Sequence, residues 1–195
     1  MADEKKTASY HHGDLAAALC AAAREILEKD GLSALSLRSV ARKAGVSHAA
    51  PYRHFASREA LLAEIAIQGI EQLRTEIANA GSIEGLPTER IVNIGSAYAD
   101  FAGRHAGLMK LMFGSEILNR SDFPGLEEAT NLIPEEMGKA IGDQVLGLAV
   151  WGTVHGIAIL CIENVLDLGQ QKAGMNVLRS RAEILLRSLF SQPLE

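Results

Sequence analysis

The strongest constraint on the fold lies between Leu35 and Glu59, where two helical patterns are separated by a turn. Ser36 is a favourable N-cap residue. The apolar residues that follow it have the i, i+3, i+4 and i+7 spacing of one helix face: Leu37, Val40, Ala41 and Ala44. Gly45 can adopt the left-handed conformation that ends a helix, and Ser47 can cap a second one. The segment therefore predicts two helices joined by a turn of about three or four residues.

All charged residues from Leu35 to Arg58 are basic. Five basic residues and no acidic residue lie between Leu35 and Arg58: Arg38, Arg42, Lys43, Arg53 and Arg58. Residues 1–60 carry nine Lys and Arg against seven Asp and Glu, a net charge of +2, whereas residues 61–195 have a net charge of −7. Because a phosphate backbone attracts basic surfaces, the sequence predicts a nucleic-acid-binding domain over 1–60 and a second domain over 61–195 that does not face nucleic acid.

These residues resemble the signature of the TetR family of bacterial one-component transcriptional regulators. The resemblance rests on three stretches of the amino-terminal domain, Tyr10–Leu15, Ala44–Ser47 and Tyr52–Leu61, and the whole portion fits through Leu62. A fourth stretch, Trp151–Gly156, resembles the Trp/His/Gly motif of one subgroup's carboxy-terminal domain. One position departs from the wider family, because Pro51 stands where a leucine or isoleucine is usual. Proline has no N–H to donate to the Ser47 carbonyl, so the length and tilt of the second helix depend on this residue.

The resemblance implies which residues contact DNA. Arg38 would reach a base edge, where its planar fork suits guanine. His48, Ala49 and Ala50 would face bases from the first turn of the recognition helix. Phosphate contacts would come from Ser47, Tyr52, His54 and Arg58, from His12 and Gly13 at the start of the first helix, and from Lys5 and Lys6 as a loose basic arm. Tyr52 and Phe55 are alternatively core aromatics, the reading we favour for Phe55, and Arg42 and Lys43 alternatively solvate an exposed helix face.

The periodicity is helical along the whole chain, and no run is typical of a strand. We expect a first helix from about Asp14 to Gly31 and a long helix capped by Ser57, which acts as a lever between the domains. Further helices are expected over 88–104, 107–118, 126–141, 143–168 and 175–189, with Pro134 causing a kink or two short helices in the third of these. The predicted fold is all-α: a three-helix helix-turn-helix DNA-binding head and a helical ligand-binding and dimerisation body, about nine helices in all.

The body contains no nucleophile elbow, phosphate loop, HExxH or paired-carboxylate motif, so we expect neither catalysis nor a cofactor or metal. Its unusual residues are bulky and apolar with a few polar tips: Tyr98, Phe101, His105, Met109, Met112, Phe113, Trp151 and His155. Such side chains suit a small-molecule cavity and equally suit an ordinary core, in which His155 would be a satisfied core histidine. Cys20 and Cys161 follow no metal or redox spacing and are expected to be reduced core residues.

The segment from Val145 to Ile162 has eighteen residues without a charge, which reaches the lower edge of membrane-span length. His155, three glycines and flanking acidic residues favour instead a helix buried between its own domain and a partner subunit. Gly152 and Gly156 would allow a second helix to approach closely, although a kink or tight packing within one domain explains the pair equally well. The absence of a signal peptide favours the cytoplasm.

The resemblance further implies a homodimer through the last two helices. Its two recognition helices would lie about 34 to 36 Å apart and require an inverted-repeat operator in double-stranded DNA. The function predicted from these observations is a dimeric repressor that an uncharged, amphipathic or aromatic effector releases from DNA. Two alternatives stay open: a constitutive architectural DNA-binding protein, and an enzyme with an accessory DNA-binding head.

Overall fold

A computed structural model describes residues 12–163, 165 and 174–190, with side chains from residue 15 to 165 and from 177 to 190 apart from residue 164. These residues form eight α-helices and three short 3₁₀ turns, and no strand occurs among them. The predicted all-α class is therefore confirmed, with eight α-helices in the described ranges. The basic arm predicted at Lys5 and Lys6 lies outside the described residues, as does the loop predicted over 169–174 apart from Gly174, which is the first residue of the last helix.

The chain divides into two compact units after Leu61. The first contains α1 (His12–Asp30), a 3₁₀ turn (Leu32–Ala34), α2 (Leu37–Lys43), a second 3₁₀ turn (Pro51–Arg53) and the start of α3 (Arg58–Gly81). Most residues that helical spacing predicts for the apolar faces of α1 and α2 are buried: Leu19, Ala22, Ala23, Ile26, Leu27, Leu37, Val40 and Ala41. Leu15 and Ala44, which the same spacing includes, are half-buried. Phe55 is buried as well. Burial of Phe55 confirms its reading as a core aromatic.

The second unit contains the rest of α3, then α4 (Pro87–Arg104), α5 (Ala106–Phe113), a 3₁₀ turn (Arg120–Asp122), α6 (Pro124–Ile141), α7 (Gln144–Ile162) and α8 (Gly174–Phe190). Helix α4 packs against α7 and α8, and α6 packs against α7. Two of these contacts need glycine for close approach. A Cβ atom at Gly95 of α4 would overlap the Leu186 side chain of α8, and one at Gly147 of α7 would overlap the backbone of Gly138 in α6.

The predicted helix boundaries agree best where a cap is visible in the sequence. The Ala60 amide donates to Ser57 Oγ at 3.1 Å, so Ser57 caps α3 as predicted. Helix α5 is shorter than expected, because Gly114 after Phe113 has an extended backbone. Helix α6 continues through Pro134 as one helix, so of the two predicted outcomes, a kink or two short helices, the second was wrong. Buried Leu126, Ile133 and Met137 anchor this helix on both sides of the proline.

Candidate DNA interface and ligand site

Helix α2 is closed by side-chain or backbone hydrogen bonds at both ends. The Ser39 amide donates to Ser36 Oγ at 3.0 Å, and the Ser36 amide donates to Ser39 Oγ at 2.9 Å. At the other end Gly45 has a φ of 69°, which glycine adopts without strain. The Val46 amide then reaches the Ala41 carbonyl at 3.0 Å, the arrangement of a Schellman motif. The turn predicted after α2 is therefore fixed by Gly45.

The predicted recognition helix is not an α-helix in this structure. Residues 48–50 form a turn and Pro51–Arg53 a 3₁₀ helix. The Ala50 amide donates to the Ser47 carbonyl at 3.0 Å, three residues back, and the Arg53 amide donates to the Ala50 carbonyl at 3.2 Å. Pro51 explains this outcome, because it has no N–H to complete the bond to Ser47 that an α-helix requires. The segment after the turn is one short, tightly wound helical piece that ends before α3.

The residues predicted to contact DNA are mostly accessible in this unit. Arg38 is the second residue of α2 and is exposed, as are Ser47, His48 and Ala49 in the turn region. Tyr52 is 58% exposed, which favours its predicted contact over the core reading. Ala50 and His54 are half-buried. Their roles toward DNA remain predictions.

Arg58 has an internal contact that the sequence did not reveal. Its Nε donates to the Leu35 carbonyl at 2.8 Å, and one terminal nitrogen donates to the Leu32 carbonyl at 3.1 Å. Both carbonyls belong to the segment between α1 and α2, so Arg58 ties that segment to the first turn of α3. A phosphate contact would have to use one of the three N–H groups that remain on the two terminal nitrogens of the same guanidinium.

Lys43 is another basic residue of the first unit that has a contact within the unit. Lys43 forms an ion pair with Glu25 of α1 at 2.6 Å, and this contact lowers the pKa of the Glu25 carboxyl. His12 and Gly13 open α1, but the side chain of His12 lies outside the described part of the structure. Their predicted phosphate contacts remain predictions.

Four of the eight predicted ligand residues come together in the second unit, and we call them the aromatic cluster: Tyr98, Phe113, Trp151 and His155. The Tyr98 hydroxyl and His155 Nδ1 are 2.7 Å apart. The Phe113 and His155 rings meet edge to face with 4.6 Å between centroids, and the Trp151 and His155 centroids are 5.7 Å apart. Helices α4, α5 and α7 each contribute to this cluster, which combines aromatic walls with a hydrogen-bonded pair.

The other four predicted ligand residues are Phe101, His105, Met109 and Met112. Phe101, Met109 and Met112 are fully buried, as core residues are. His105 lies between α4 and α5, and its ring is 4.8 Å from that of Phe101. Whether any of these residues reaches a ligand remains a prediction.

Burial determines the protonation of the hydrogen-bonded pair. It raises the pKa of the Tyr98 phenol, an effect that the nearby Trp151 indole opposes without reversing. Burial also lowers the pKa of His155. Both side chains are therefore uncharged near neutral pH. The Trp151 indole nitrogen is buried and has no hydrogen bond of normal geometry within the described residues.

Sequence reasoning missed Arg120, which organises the connection between α5 and α6. Its guanidinium donates to the Met112 carbonyl at 3.0 Å and to Thr130 Oγ1 at 3.1 Å. Burial lowers its pKa. A lone arginine in a connecting segment carries no periodic signal, and its partners lie eight and ten positions away on two different helices. It was therefore not detectable from the sequence pattern.

Helices α7 and α8 carry exposed apolar side chains, which we call the α7/α8 face: Val145, Leu148, Leu160, Ile184, Leu185 and Leu189. Within the described residues, α7 is also the one helix long and apolar enough to cross a membrane. A single such helix is weak support for a membrane protein, since helices of soluble proteins meet the same criteria. A Cβ atom at Gly152 or Gly156 would meet open space, so neither glycine is needed for packing within the described part of this subunit.

The two cysteines lie on different helices, Cys20 on α1 and Cys161 on α7. Cys20 is buried and Cys161 is half-buried, and neither forms a disulfide. Burial raises the pKa of the Cys161 thiol. Among the described residues, no group of three or more His, Cys, Asp or Glu side chains could hold a metal ion.

The family comparison concerns the first unit and the beginning of the second. Residues 19–65 match the family model described as bacterial regulatory proteins, tetR family. The amino-terminal part of the chain is therefore similar to the TetR family. This match covers the capped α2, the Gly45 turn, the Pro51 segment and the beginning of α3.

Known proteins resemble the chain beyond this domain. An uncharacterised HTH-type transcriptional regulator of Bacillus subtilis, YobS, is 29% identical over 86 residues, which cover 44% of this chain and 44% of that protein. A solved structure of a Rhodococcus protein of unknown function is 32% identical, covering 92% of this chain and 97% of that one with a TM-score of 0.66. A TetR/AcrR-family regulator of Thermobifida fusca shares the fold, with 18% identity, coverage of 92% and 100%, and a TM-score of 0.67.

Proposed function

We propose that this chain is a transcriptional repressor that binds an inverted-repeat operator as a homodimer and is released by a small molecule bound in its second unit. The observation that carries the proposal is the first unit itself. It combines a TetR-family match with a capped α2, a turn fixed by Gly45 and an exposed Arg38. An exposed arginine at the start of a helix is suited to read a guanine edge in the major groove.

The dimer is proposed on the α7/α8 face. Val145 is 80% exposed, Ile184 is 63% exposed and Leu189 is 55% exposed. Burying such side chains against a second copy removes apolar surface from water and stabilises the pair. Gly152 and Gly156 have open space beside them, which suits close approach of the partner's helix. A dimer accounts for the apolar composition of α7 without a membrane, and it accords with a cytoplasmic regulator.

The effector is proposed to bind at the aromatic cluster. Aromatic walls around a few polar groups are typical of small-molecule sites. The tyrosine and histidine of the cluster are uncharged near neutral pH, so an uncharged amphipathic or aromatic effector suits them better than an anion. Binding would favour a position of α3 in which the two DNA-binding units no longer match the groove spacing. No catalytic step is proposed.

Footprinting of the purified protein on the DNA that flanks its own gene tests the proposal. We expect two protected half-sites related by inverted symmetry, with centres about 34 to 36 Å apart. A random duplex of equal length and charge is the control for non-specific binding. Equal affinity for both duplexes would contradict operator recognition.

A ligand screen tests the sensor separately from the DNA-binding function. Each compound is scored by melting temperature and by release of the footprint. At a hundred times its dissociation constant, a ligand stabilises the folded state by about 2.7 kcal/mol. Operator binding with no compound that changes either measurement would favour a constitutive DNA-binding protein.

A further inference from the structure

We propose that the hydrogen bond between Tyr98 and His155 turns Nε2 of His155 into a fixed donor for an uncharged ligand with a carbonyl oxygen on an apolar or aromatic frame. This inference rests on the proposed effector site and names the chemical class of the effector. The two side chains lie on α4 and α7, and their atoms are 2.7 Å apart.

The direction of the hydrogen bond follows from the number of protons available. Tyr98 is fully buried, and its hydroxyl has one proton to donate. His155 Nδ1 is its acceptor among the described residues. If Nδ1 carried the proton and donated to the phenol oxygen, the buried phenol proton would be left without an acceptor, which is costly. Tyr98 therefore donates and His155 Nδ1 accepts.

This direction fixes the tautomer of the imidazole. A neutral histidine has one ring proton, and an accepting Nδ1 leaves that proton on Nε2. Within the described part of the structure, His155 has one hydrogen bond, the one to Tyr98. The ring is half-buried, and its Nε2–H is left as a donor. Its one acceptor nitrogen, Nδ1, is already used by Tyr98. A ligand group that suits it must supply an acceptor.

The surroundings of His155 favour an uncharged acceptor. Phe113 meets its ring edge to face, and Trp151 lies one helical turn before it on α7. None of the four side chains of the aromatic cluster is a cation near neutral pH, because burial lowers the pKa of His155. An anionic group would therefore lose its hydration without gaining a cation, whereas a carbonyl oxygen gains a donor and its frame gains aromatic contacts.

The first experiment measures the tautomer directly. A long-range ¹H–¹⁵N spectrum of the histidine-labelled protein is expected to show His155 as the Nε2–H form, with assignment by the His155→Phe variant. In Tyr98→Phe, which keeps the ring and removes the donor, we expect a mixture of tautomers. A pure Nδ1–H form in the unmodified protein would overturn the inference.

The second experiment uses a matched pair of probes, cyclohexyl phenyl ketone and cyclohexylphenylmethane, which differ in the carbonyl. Calorimetric titration is expected to give the ketone about fivefold tighter binding, the size of one neutral hydrogen bond. The double variant Tyr98→Phe/His155→Phe keeps an aromatic ring at both positions and removes both partners of the hydrogen bond together. It should bind the two probes equally, with unchanged affinity for the hydrocarbon.

Met137→Leu is the control variant, because Met137 of α6 is buried, is not among the predicted ligand residues, and the change nearly conserves volume. It should preserve the fivefold preference. Equal binding of both probes by the unmodified protein, or binding of neither at its solubility limit, would overturn the inference. Footprinting of the same preparations separates this outcome from failure of the regulator itself, because operator binding does not depend on the probes.

Discussion

At the residue scale, Arg38 and Arg58 show how surroundings separate two arginines of one basic segment. Arg38 is exposed on α2, whereas Arg58 is half-buried and donates to two backbone carbonyls. The exposed Arg38 is accessible to a partner molecule. Arg58 stabilises the unit that carries Arg38.

Arg38→Ala is expected to weaken operator binding and to leave binding to random DNA nearly unchanged. Loss of a bidentate contact to guanine costs about 1 to 3 kcal/mol, a loss confined to the cognate base. Titration of both duplexes at one salt concentration measures the difference. Arg38→Lys keeps the charge without the planar fork and should lose most of the same discrimination. Equal losses on the two duplexes would remove Arg38 from the base-reading set.

Substitutions of Arg58 separate its internal role from its predicted phosphate contact. Arg58→Lys keeps the charge but cannot hold both carbonyls, so we expect lower stability, by about 1 to 3 kcal/mol, with an unchanged salt dependence of DNA binding. Arg58→Ala should show the same loss of stability and also reduce the salt slope by about one. Thermal melting and titrations at several salt concentrations measure the two effects. A stable Arg58→Lys variant would contradict the internal role.

At the element scale, the end of α2 depends on one backbone conformation. Gly45 has a φ of 69° and open space around its Cα, so a side chain there would be strained without a clash. Gly45→Ala is expected to destabilise the first unit by about 1 to 2 kcal/mol, and Gly45→Asn by less, because asparagine tolerates the left-handed region. Urea denaturation followed by circular dichroism measures both. Equal stability of the glycine and alanine proteins would mean that the turn rearranges.

At the scale of the whole molecule, the α7/α8 face is an apolar surface that stays exposed in the described part of the chain. Gly156→Leu is expected to disrupt the proposed dimer by overpacking its interface, at a cost of about 1 to 3 kcal/mol, while the subunit stays folded because the position is open. Sedimentation velocity measures the dimer, and operator affinity should fall with it. Gly125→Leu, on the exposed start of α6, is the control. An unchanged dimer in Gly156→Leu would locate the interface elsewhere.

Local sequence signals predicted most of the helices. Ser36, Gly45 and Ser57 act through hydrogen bonds or backbone angles within a few residues of themselves, so their caps and turns could be identified directly. Helical spacing likewise predicted the buried faces of α1 and α2. Pro51 and Pro134 show the limit of this reasoning. Both residues lack the N–H that an α-helix needs. Pro51 lies in a 3₁₀ turn, whereas α6 tolerates Pro134 because buried residues on both sides of it hold the helix together.

The sequence by itself determined the all-α class, the caps and turn of the DNA-binding motif and the aromatic character of the second unit, because these depend on local chemistry and periodicity. Tertiary structure decided which side chains meet. It paired Tyr98 with His155, 57 positions apart, and Arg58 with carbonyls 23 and 26 positions away. It also left Phe101 and Met109 in the core, apart from the aromatic cluster. Long-range pairing depends on how helices cross, and residue spacing along one helix contains no information about the helix that packs against it.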